Sequence, residues 1–194
     1  MITIKGLHKK YGGIQIHKDF SYSFEKGKIT AIVGSSGIGK TTLLRCIAGL
    51  EEYEGDIHIE GKISYMFQED RLMPWLSIVD NLFLPIKLEG RPITPSDRQR
   101  MEYLVRFFQV EEHLSKGVNE VSGGEKQRLL MVRALITNPD ILILDEPFKS
   151  LDENLYTYIY KKFKDYCSTT NLTVLFVTHH MVLAKGCDKL LKIA

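Results

Sequence analysis

Apolar and polar residues alternate along the first part of the chain, as they do in strands with one buried face. The alternation runs through residues 2–4, 14–16 and 20–24, and a turn at 25–28 leads into a wholly apolar segment at 29–33. A second hairpin is expected over 55–65, with Gly61 and Lys62 near its turn. The pattern therefore predicts antiparallel strands at the amino-terminal end, followed by a short buried strand.

The hydrophobic pattern changes near residue 70. From there to about residue 120 it favours longer helical segments, which Pro85, Pro92 and Pro95 are expected to break. Continuous apolar runs return at 141–144 and 172–177, typical of strands buried on both faces of a parallel sheet. We therefore predict one α/β domain over residues 1–194, with a mainly parallel sheet, an antiparallel β layer and an inserted helical subdomain at about 70–120.

The composition is that of a globular protein, and it restricts the choice of partners. The chain has 26 basic and 24 acidic residues, a balance too even for the broad basic face of a nucleic-acid binder. Its apolar runs are shorter than the roughly 18–20 residues that span a bilayer, and its first residues lack the pattern of a signal peptide. Contact with a membrane is therefore expected to go through a partner. The three cysteines lack CxxC spacing and are expected to be reduced thiols.

A glycine-rich loop follows the predicted strand at 29–33. Residues 34–41 match G-x-x-x-x-G-K-[ST], the phosphate loop, and a helix is predicted to follow from Thr42. Backbone N–H groups bind phosphate oxygens in such a loop, side chains would obstruct them, and the helix directs its positive end towards the anion. Lys40 supplies a charge for the β- and γ-phosphates, and the Thr41 hydroxyl can bind Mg²⁺. The candidate nucleotide-binding residues here are Gly34, Ser35, Ser36, Gly37, Ile38, Gly39, Lys40, Thr41 and Thr42.

The apolar run at 141–144 ends in two carboxylates, Asp145 and Glu146. The first carboxylate at such a strand end suits a Mg²⁺ shell. The second suits a general base that deprotonates or positions the attacking water.

A helix start upstream also indicates an anion. Ser122 and Glu125 form a predicted capping box that opens a helix. That box does not explain Gly123 and Gly124 in the first turn, where glycine costs stability. Glycines at a helix amino terminus suggest a close approach to an anion.

In their order along the chain, these motifs resemble those of the ABC-type ATPases, and the resemblance covers essentially the whole sequence. Residues 34–41 resemble the family's Walker A motif, 144–146 its Walker B motif and 121–125 its signature motif. Single residues match as well: Gln68 the Q-loop glutamine, His179 the switch histidine, Tyr11 the aromatic residue that stacks on adenine, and Asp152 the D-loop aspartate.

The resemblance implies the P-loop NTPase core of the ABC ATPase fold, with ATP and Mg²⁺ as cofactors. It implies Glu146 as the general base, His179 as a contact to the γ-phosphate, and Gln68 as a further catalytic residue. The Mg²⁺ shell is implied to contain Thr41, Gln68 and Asp145. Ser122, Gly123 and Gly124 of one copy are implied to close over the ATP that another copy holds.

The same resemblance implies partners and a location. It implies a second copy of the chain in an ATP-dependent dimer, a transmembrane permease subunit, and indirectly a solute-binding protein, with no nucleic acid. The chain would then lie at the cytoplasmic face of the cell membrane, held there by the permease. Residues 68–77 resemble importers of the nitrate, sulfonate, taurine and thiamine-precursor group.

The sequence departs from the common family pattern at Val121, Glu125, Lys149-Ser150 and His180. Glu125 keeps open the alternative of a non-transport ABC-type ATPase that acts on DNA or in translation. DNA-acting members insert a very long coiled coil, whereas about 80 residues without heptads separate the motifs here. Translation factors carry two cassettes, and this chain has one.

Overall fold

A computed structural model describes residues 1–69, 71–147 and 153–193. Its strands are β1 (Ile2–Tyr11), β2 (Ile14–Phe24), β3 (Ile29–Val33), β4 (Glu54–Ile59), β5 (Ile63–Met66), β6 (Ile141–Asp145), β7 (Thr173–Val177) and β8 (Lys189–Lys192). Its α-helices are α1 (Lys40–Ile47), α2 (Ile78–Leu88), α3 (Pro95–Phe107), α4 (Gly123–Leu135), α5 (Glu153–Thr170) and α6 (Met181–Lys185), with 3₁₀ turns at Glu111–His113 and Val118–Glu120.

Within the described part of the chain, the larger sheet is parallel and has five strands in the order β5-β6-β7-β3-β8. Every residue of β3, β6 and β7 is buried, as expected for strands that are covered on both faces. Parallel pairing brings the carboxyl ends of β3, β5, β6 and β7 to the same edge of the sheet. The predicted α/β class with a mainly parallel sheet is confirmed.

The smaller sheet is antiparallel, in the order β2-β1-β4, and confirms the predicted amino-terminal β layer. The inward side chains of β1 alternate with outward ones, and Ile2, Ile4 and Leu7 are fully buried. They share one hydrophobic cluster with Leu43 and Leu44 of α1. Helix α1 is therefore packed between the two sheets, which fixes the direction of its first turn.

The hairpin expected over 55–65 is wrong. β4 pairs with β1 in the antiparallel sheet, whereas β5 pairs with β6 in the parallel sheet. The chain passes between the sheets at Gly61, where φ is +116° and an added Cβ would lie 2.7 Å from the Asp140 side chain. The Asp140 carboxylate also accepts the backbone N–H of Lys62 at 2.8 Å. A long-range contact therefore overrides a local pattern that resembles a turn.

The expectation that each proline breaks a helix is wrong for Pro85, which lies inside α2. A proline there removes one backbone hydrogen bond. The helix continues because Leu82, Phe83 and Ile86, on either side of the proline, are all buried in the main core. Pro95 instead starts α3 in its first turn, where a missing N–H costs nothing. Among the helices built from the described residues, none combines the length and apolar character that a membrane span requires.

Helix α3 begins at a densely bonded capping box. Thr94 Oγ1 accepts the Asp97 N–H at 3.2 Å, and the Asp97 carboxylate accepts the Thr94 N–H at 2.8 Å. Arg91 donates two parallel hydrogen bonds to the same carboxylate, at 2.8 and 2.9 Å. These donors, Arg91 foremost, hold the pKa of the Asp97 carboxyl well below its usual range. The start of α3 is thus fixed where α3 packs against α4.

Replacing Asp97 with Asn should lower the free energy of unfolding by roughly 1–2 kcal/mol near neutral pH, because α3 loses its charged cap and Arg91 loses one of its two carboxylate partners. The folded-state pKa of Asp97 lies below the unfolded value. Its stabilisation is therefore complete above about pH 5 and is lost as the pH falls through the folded pKa. Urea denaturation of both proteins, at neutral and at acidic pH, measures this difference.

Asp80→Asn is the matched control for that measurement. Asp80 lies in the first turn of α2, accepts the Ser77 hydroxyl and pairs with Lys87, yet its side chain is 47% exposed, so its replacement should cost clearly less stability than that of Asp97. Equal losses in the two variants would contradict the special contribution of Asp97.

Candidate active site

The glycine-rich loop 34–39 connects β3 to α1 at the carboxyl edge of the parallel sheet. Gly34 lies so close to Ile193 that an added Cβ would come within 2.6 Å of the Ile193 carbonyl oxygen. Lys40 is buried, and its Nζ donates to the carbonyls of Gly34 at 3.0 Å and Ser35 at 2.8 Å. The Lys40 side chain thus folds back over the loop and places its ammonium group among the backbone atoms there.

Thr41 and Asp145 meet beside this loop, where the Thr41 hydroxyl donates to Asp145 Oδ1 at 3.0 Å. Asp145 is only 2% exposed. Burial raises the pKa of its carboxyl, and the charge of the adjacent Glu146 raises it further. A buried carboxylate is costly without a compensating cation, and Mg²⁺ prefers hydroxyl and carboxylate oxygens. The two side chains therefore fit the Mg²⁺ predicted to bind here.

Glu146 has a left-handed backbone and a carboxylate that is held from two sides. Its φ is 53°, and its N–H donates to the Val177 carbonyl at 3.2 Å. Its Oε2 accepts from Gln68 Nε2 at 3.1 Å, and its Oε1 lies 2.9 Å from His179 Nε2. Such a backbone costs of order 1–3 kcal/mol outside glycine and is concentrated at functional sites. The three residues predicted to be catalytic are thus in direct contact.

A cavity of about 360 Å³ opens beside these groups, within the size range of small-ligand pockets. The described residues that line it are Tyr11, Ile16, Ser36, Gly37, Gly39, Lys40, Thr41, Thr42, Gln68, Glu146, Val177 and His179. The Tyr11 side chain is 42% exposed, and the Lys9 ammonium lies 4.5 Å from the centre of its ring. The cavity therefore combines a polar phosphate-loop wall with an accessible aromatic face.

The predicted signature residues lie elsewhere. Ser122 Oγ accepts the Glu125 N–H at 3.4 Å and Glu125 Oε2 accepts the Ser122 N–H at 2.7 Å, which confirms the predicted capping box. Ser122 and Gly123 are exposed at the start of α4. Neither they nor Gly124 belongs to the described lining of the cavity. A single chain therefore presents this helix start to solvent.

Sequence reasoning missed three residues at the site. Ile16 and Val177 line the cavity, and the Tyr65 hydroxyl lies 3.5 Å from Asp145 Oδ2. Ile16 and Val177 belong to alternating and continuous apolar runs that are indistinguishable from core. Tyr65 had a usable signal, since a hydroxyl near the end of β5 lies beside the end of β6. The predicted D-loop residue Asp152 and the unusual pair Lys149-Ser150 lie outside the described residues.

Comparison with known proteins finds relatives over most of this chain. The family model described as ABC transporter matches residues 17–149. The tungstate uptake system ATP-binding protein TupC of Peptoclostridium acidaminophilum is 38% identical, over 97% of this chain and 92% of its own. An aliphatic sulfonates import ATP-binding protein, SsuB of Bacillus cereus, is 34% identical, over 90% of this chain and 72% of its own. The chain spans only 51%, 63% and 54% of three other relatives.

A solved structure gives the same answer for the fold. The dimeric structure of MJ0796, described as a bacterial ABC transporter cassette, has a TM-score of 0.92 and 28% identity, and the match covers 100% of this chain and 94% of that one. A second structure of that cassette is described as a post-hydrolysis state bound to ADP and Pi. With the family model, the relatives and the fold in agreement, this chain belongs to the ABC transporter family, as an ATP-binding and ATP-hydrolysing cassette.

Proposed function

We propose that this chain is the ATPase subunit that powers an ABC importer of a small solute. The observation that carries the proposal is the contact of Glu146 with both Gln68 and His179, at the cavity that the phosphate loop lines. Hydrolysis of a phosphoanhydride requires a phosphate cradle, a metal-binding carboxylate and a positioned base. Import as the direction of transport is supported by the names of TupC and SsuB, which describe uptake and import.

The phosphate loop and Tyr11 bind the nucleotide in this proposal. Backbone N–H groups of residues 34–39 and the Lys40 ammonium hold the β- and γ-phosphates, while Tyr11 stacks on the adenine. Lys40 then exchanges its bonds to loop carbonyls for bonds to charged phosphate oxygens, which are stronger acceptors. Thr41, Asp145 and Gln68 are the residues that would hold Mg²⁺, which when bound supplies positive charge to the phosphate oxygens.

Glu146 is the general base. Its carboxylate accepts a proton from a water molecule whose oxygen bonds to the γ-phosphorus, while the bond from that phosphorus to the bridging oxygen breaks and ADP leaves. Gln68 and His179 orient the carboxylate for this step. His179, whose side chain is 51% exposed, also contacts the γ-phosphate, in addition to Lys40.

The proposed working unit contains two copies of the chain. The exposed start of α4 at Ser122 and Gly123 offers backbone N–H groups and a positive helix end to an anion. This chain's own cavity does not include that helix start among its described lining residues. Two chains related by a two-fold axis give each cavity a partner's helix start, and the dimeric description of the MJ0796 structure supports this arrangement.

The proposed contact with the permease is the segment that follows Gln68. Trp75 is 76% exposed, and tryptophan is among the residues enriched at protein–protein interfaces and their hot spots. The segment is held by Asn81, which is fully buried: its Oδ1 accepts the Met73 N–H at 2.6 Å and its Nδ2 donates to the Met73 carbonyl at 3.0 Å. Trp75 therefore projects from a fixed backbone, as a docking residue should.

The remaining partners follow from the proposed role. The permease holds the chain at the cytoplasmic face of the membrane, and a solute-binding protein delivers the cargo to the permease. For the cargo we propose a small solute such as nitrate, a sulfonate, taurine or a thiamine precursor. The name of SsuB supports a sulfonate, while that of TupC refers to tungstate.

Glu146→Gln should leave ATP binding intact and lower the rate of hydrolysis by about 10²–10⁴-fold, because only the base is lost. Lys40→Ala should instead weaken the binding of ATP itself. Calorimetric titration with ATP and a phosphate-release assay separate the two effects. Glu60→Gln is the control, since its carboxylate is 62% exposed and lies away from the cavity. Hydrolysis at the wild-type rate by Glu146→Gln would overturn the proposed role.

Trp75→Ala should reduce assembly with the permease while ATP binding by the isolated chain stays unchanged, because Trp75 makes no part of the cavity lining. Co-purification with the permease and calorimetry on the chain alone measure the two properties. Tyr158 is also an exposed aromatic residue but lies on α5, so Tyr158→Ala should leave both permease assembly and ATP binding unchanged. A loss of thermal stability in Trp75→Ala, with normal assembly, would instead indicate a local packing role.

Mixing two inactive variants tests the shared site. Lys40→Ala removes the phosphate-loop charge, and Ser122→Arg blocks the helix start. A mixed dimer has one cavity with both defects and one with neither, so ATPase activity should return when the two are mixed with the permease present. If heterodimers form and no activity returns, a model in which one intact shared site suffices is wrong.

A further inference from the structure

One buried histidine contacts the end of the phosphate loop from strand β2. His17, in β2, is 4% exposed, and its Nε2 lies 3.0 Å from the Gly39 carbonyl oxygen. Burial lowers the pKa of His17, so the ring is neutral near pH 7 and carries one N–H. Because a carbonyl oxygen can only accept, that hydrogen must be on Nε2, and His17 donates to Gly39.

The Gly39 carbonyl has a second donor. The Leu43 N–H bonds to it at 2.8 Å as the first helical hydrogen bond of α1. Gly39 itself has a φ of +104°, and an added Cβ would lie 2.6 Å from Ile16 Cγ2 and 2.9 Å from His17 Nε2. Strand β2 therefore packs directly against the end of the phosphate loop, and the carbonyl is held in one orientation by two donors.

That orientation determines where the next amide points. No cis peptide bond occurs among the residues that the structure describes, and in a trans peptide the C=O and the following N–H point in opposite directions. With the Gly39 carbonyl directed along α1, the Lys40 N–H points out of the helix start, on the side where Gly39, Lys40 and Thr41 line the cavity. A rotation of this peptide would remove one anion-binding N–H from the cradle.

We propose that His17 is a positioning residue for ATP binding, which fixes the Gly39–Lys40 peptide so that the Lys40 N–H faces the phosphates. The inference rests on the proposed function, because it assigns a role at the same nucleotide site. His17 itself is not among the described residues that line the cavity. It acts through the loop and makes no contact with the nucleotide.

The test replaces the ring donor while it keeps the buried volume. His17→Leu removes the N–H and should weaken the binding of ATP with Mg²⁺ by about three- to tenfold, the usual effect of one buried hydrogen bond. The KM for ATP should rise by a similar factor, while kcat at saturating ATP stays within about twofold of wild type. His17→Gln, whose carboxamide N–H can reach the same carbonyl, should restore the affinity.

Controls keep the result interpretable. His8→Leu makes the same change on the neighbouring strand, outside the cavity lining, and should leave ATP affinity unchanged. Thermal unfolding without nucleotide identifies folded variants, and if His17→Leu does not fold, His17→Met replaces it as the variant without a donor. Calorimetry on the full chain measures the affinities.

The outcomes distinguish a failure of the proposed function from a failure of the role of His17. If the wild-type chain does not bind ATP, the proposed function fails. If the wild type binds and His17→Leu binds equally well, only the role of His17 is wrong. Equal weakening in the Leu and Gln variants would show that the ring's packing matters and its N–H does not, which also overturns the inference.

Discussion

Backbone hydrogen bonds between the parallel strands β5, β6, β7 and β3 determine where the chemistry of this protein can take place. Each strand ends at the same edge of the sheet, and each is followed by one component of the site. Gln68 follows β5, Glu146 follows β6, His179 follows β7 and Lys40 follows the loop after β3. Residues that are far apart in the chain therefore line one cavity. If the central strands lost their parallel alignment, the components would be separated although each motif remained intact.

The charged groups at this edge are bonded to other groups of the protein. Lys40 donates to carbonyls of its own loop, Asp145 accepts the Thr41 hydroxyl, and Glu146 is held by Gln68 and His179. Binding of a charged ligand is therefore an exchange of partners. Such an exchange costs less than removing the same groups from bulk water, because their desolvation is already part of the folded state.

Local motifs of the site were easier to predict from the sequence than the way the chain runs between the two sheets. The phosphate loop, the two carboxylates and the capping box at Ser122 are local patterns with a local physical cause, and each is found where it was expected. The prediction of a hairpin over 55–65 was wrong because Asp140, far along the chain, contacts Gly61 and Lys62 where the chain passes from one sheet to the other.

Contacts through the core could not be predicted from the sequence, for a related reason. His17 lies in a strand whose alternating apolar and polar residues predict that some side chains face inward. This pattern does not predict which other element an inward side chain contacts. Pro85 was expected to end a helix, because a single sequence does not reveal that Leu82, Phe83 and Ile86 are buried on either side of it. In each case a tertiary contact, absent from any local window, decided the outcome.

Asn81 attaches the segment before α2 to the first turn of that helix. Its Nδ2 lies within 3.3 Å of the carbonyl oxygens of Met73, Leu76 and Ser77, among which its two hydrogens are shared, so residues 73–77 are attached to the first turn by one fully buried amide. Bending of this loop away from α2 would leave the buried Asn81 amide unsatisfied, at a cost of about 1–3 kcal/mol. The Asn81 amide therefore ties the backbone that carries Trp75 to α2, and α2 in turn packs against α4. The stiffness of this exposed segment thus depends on a side chain that is itself fully buried.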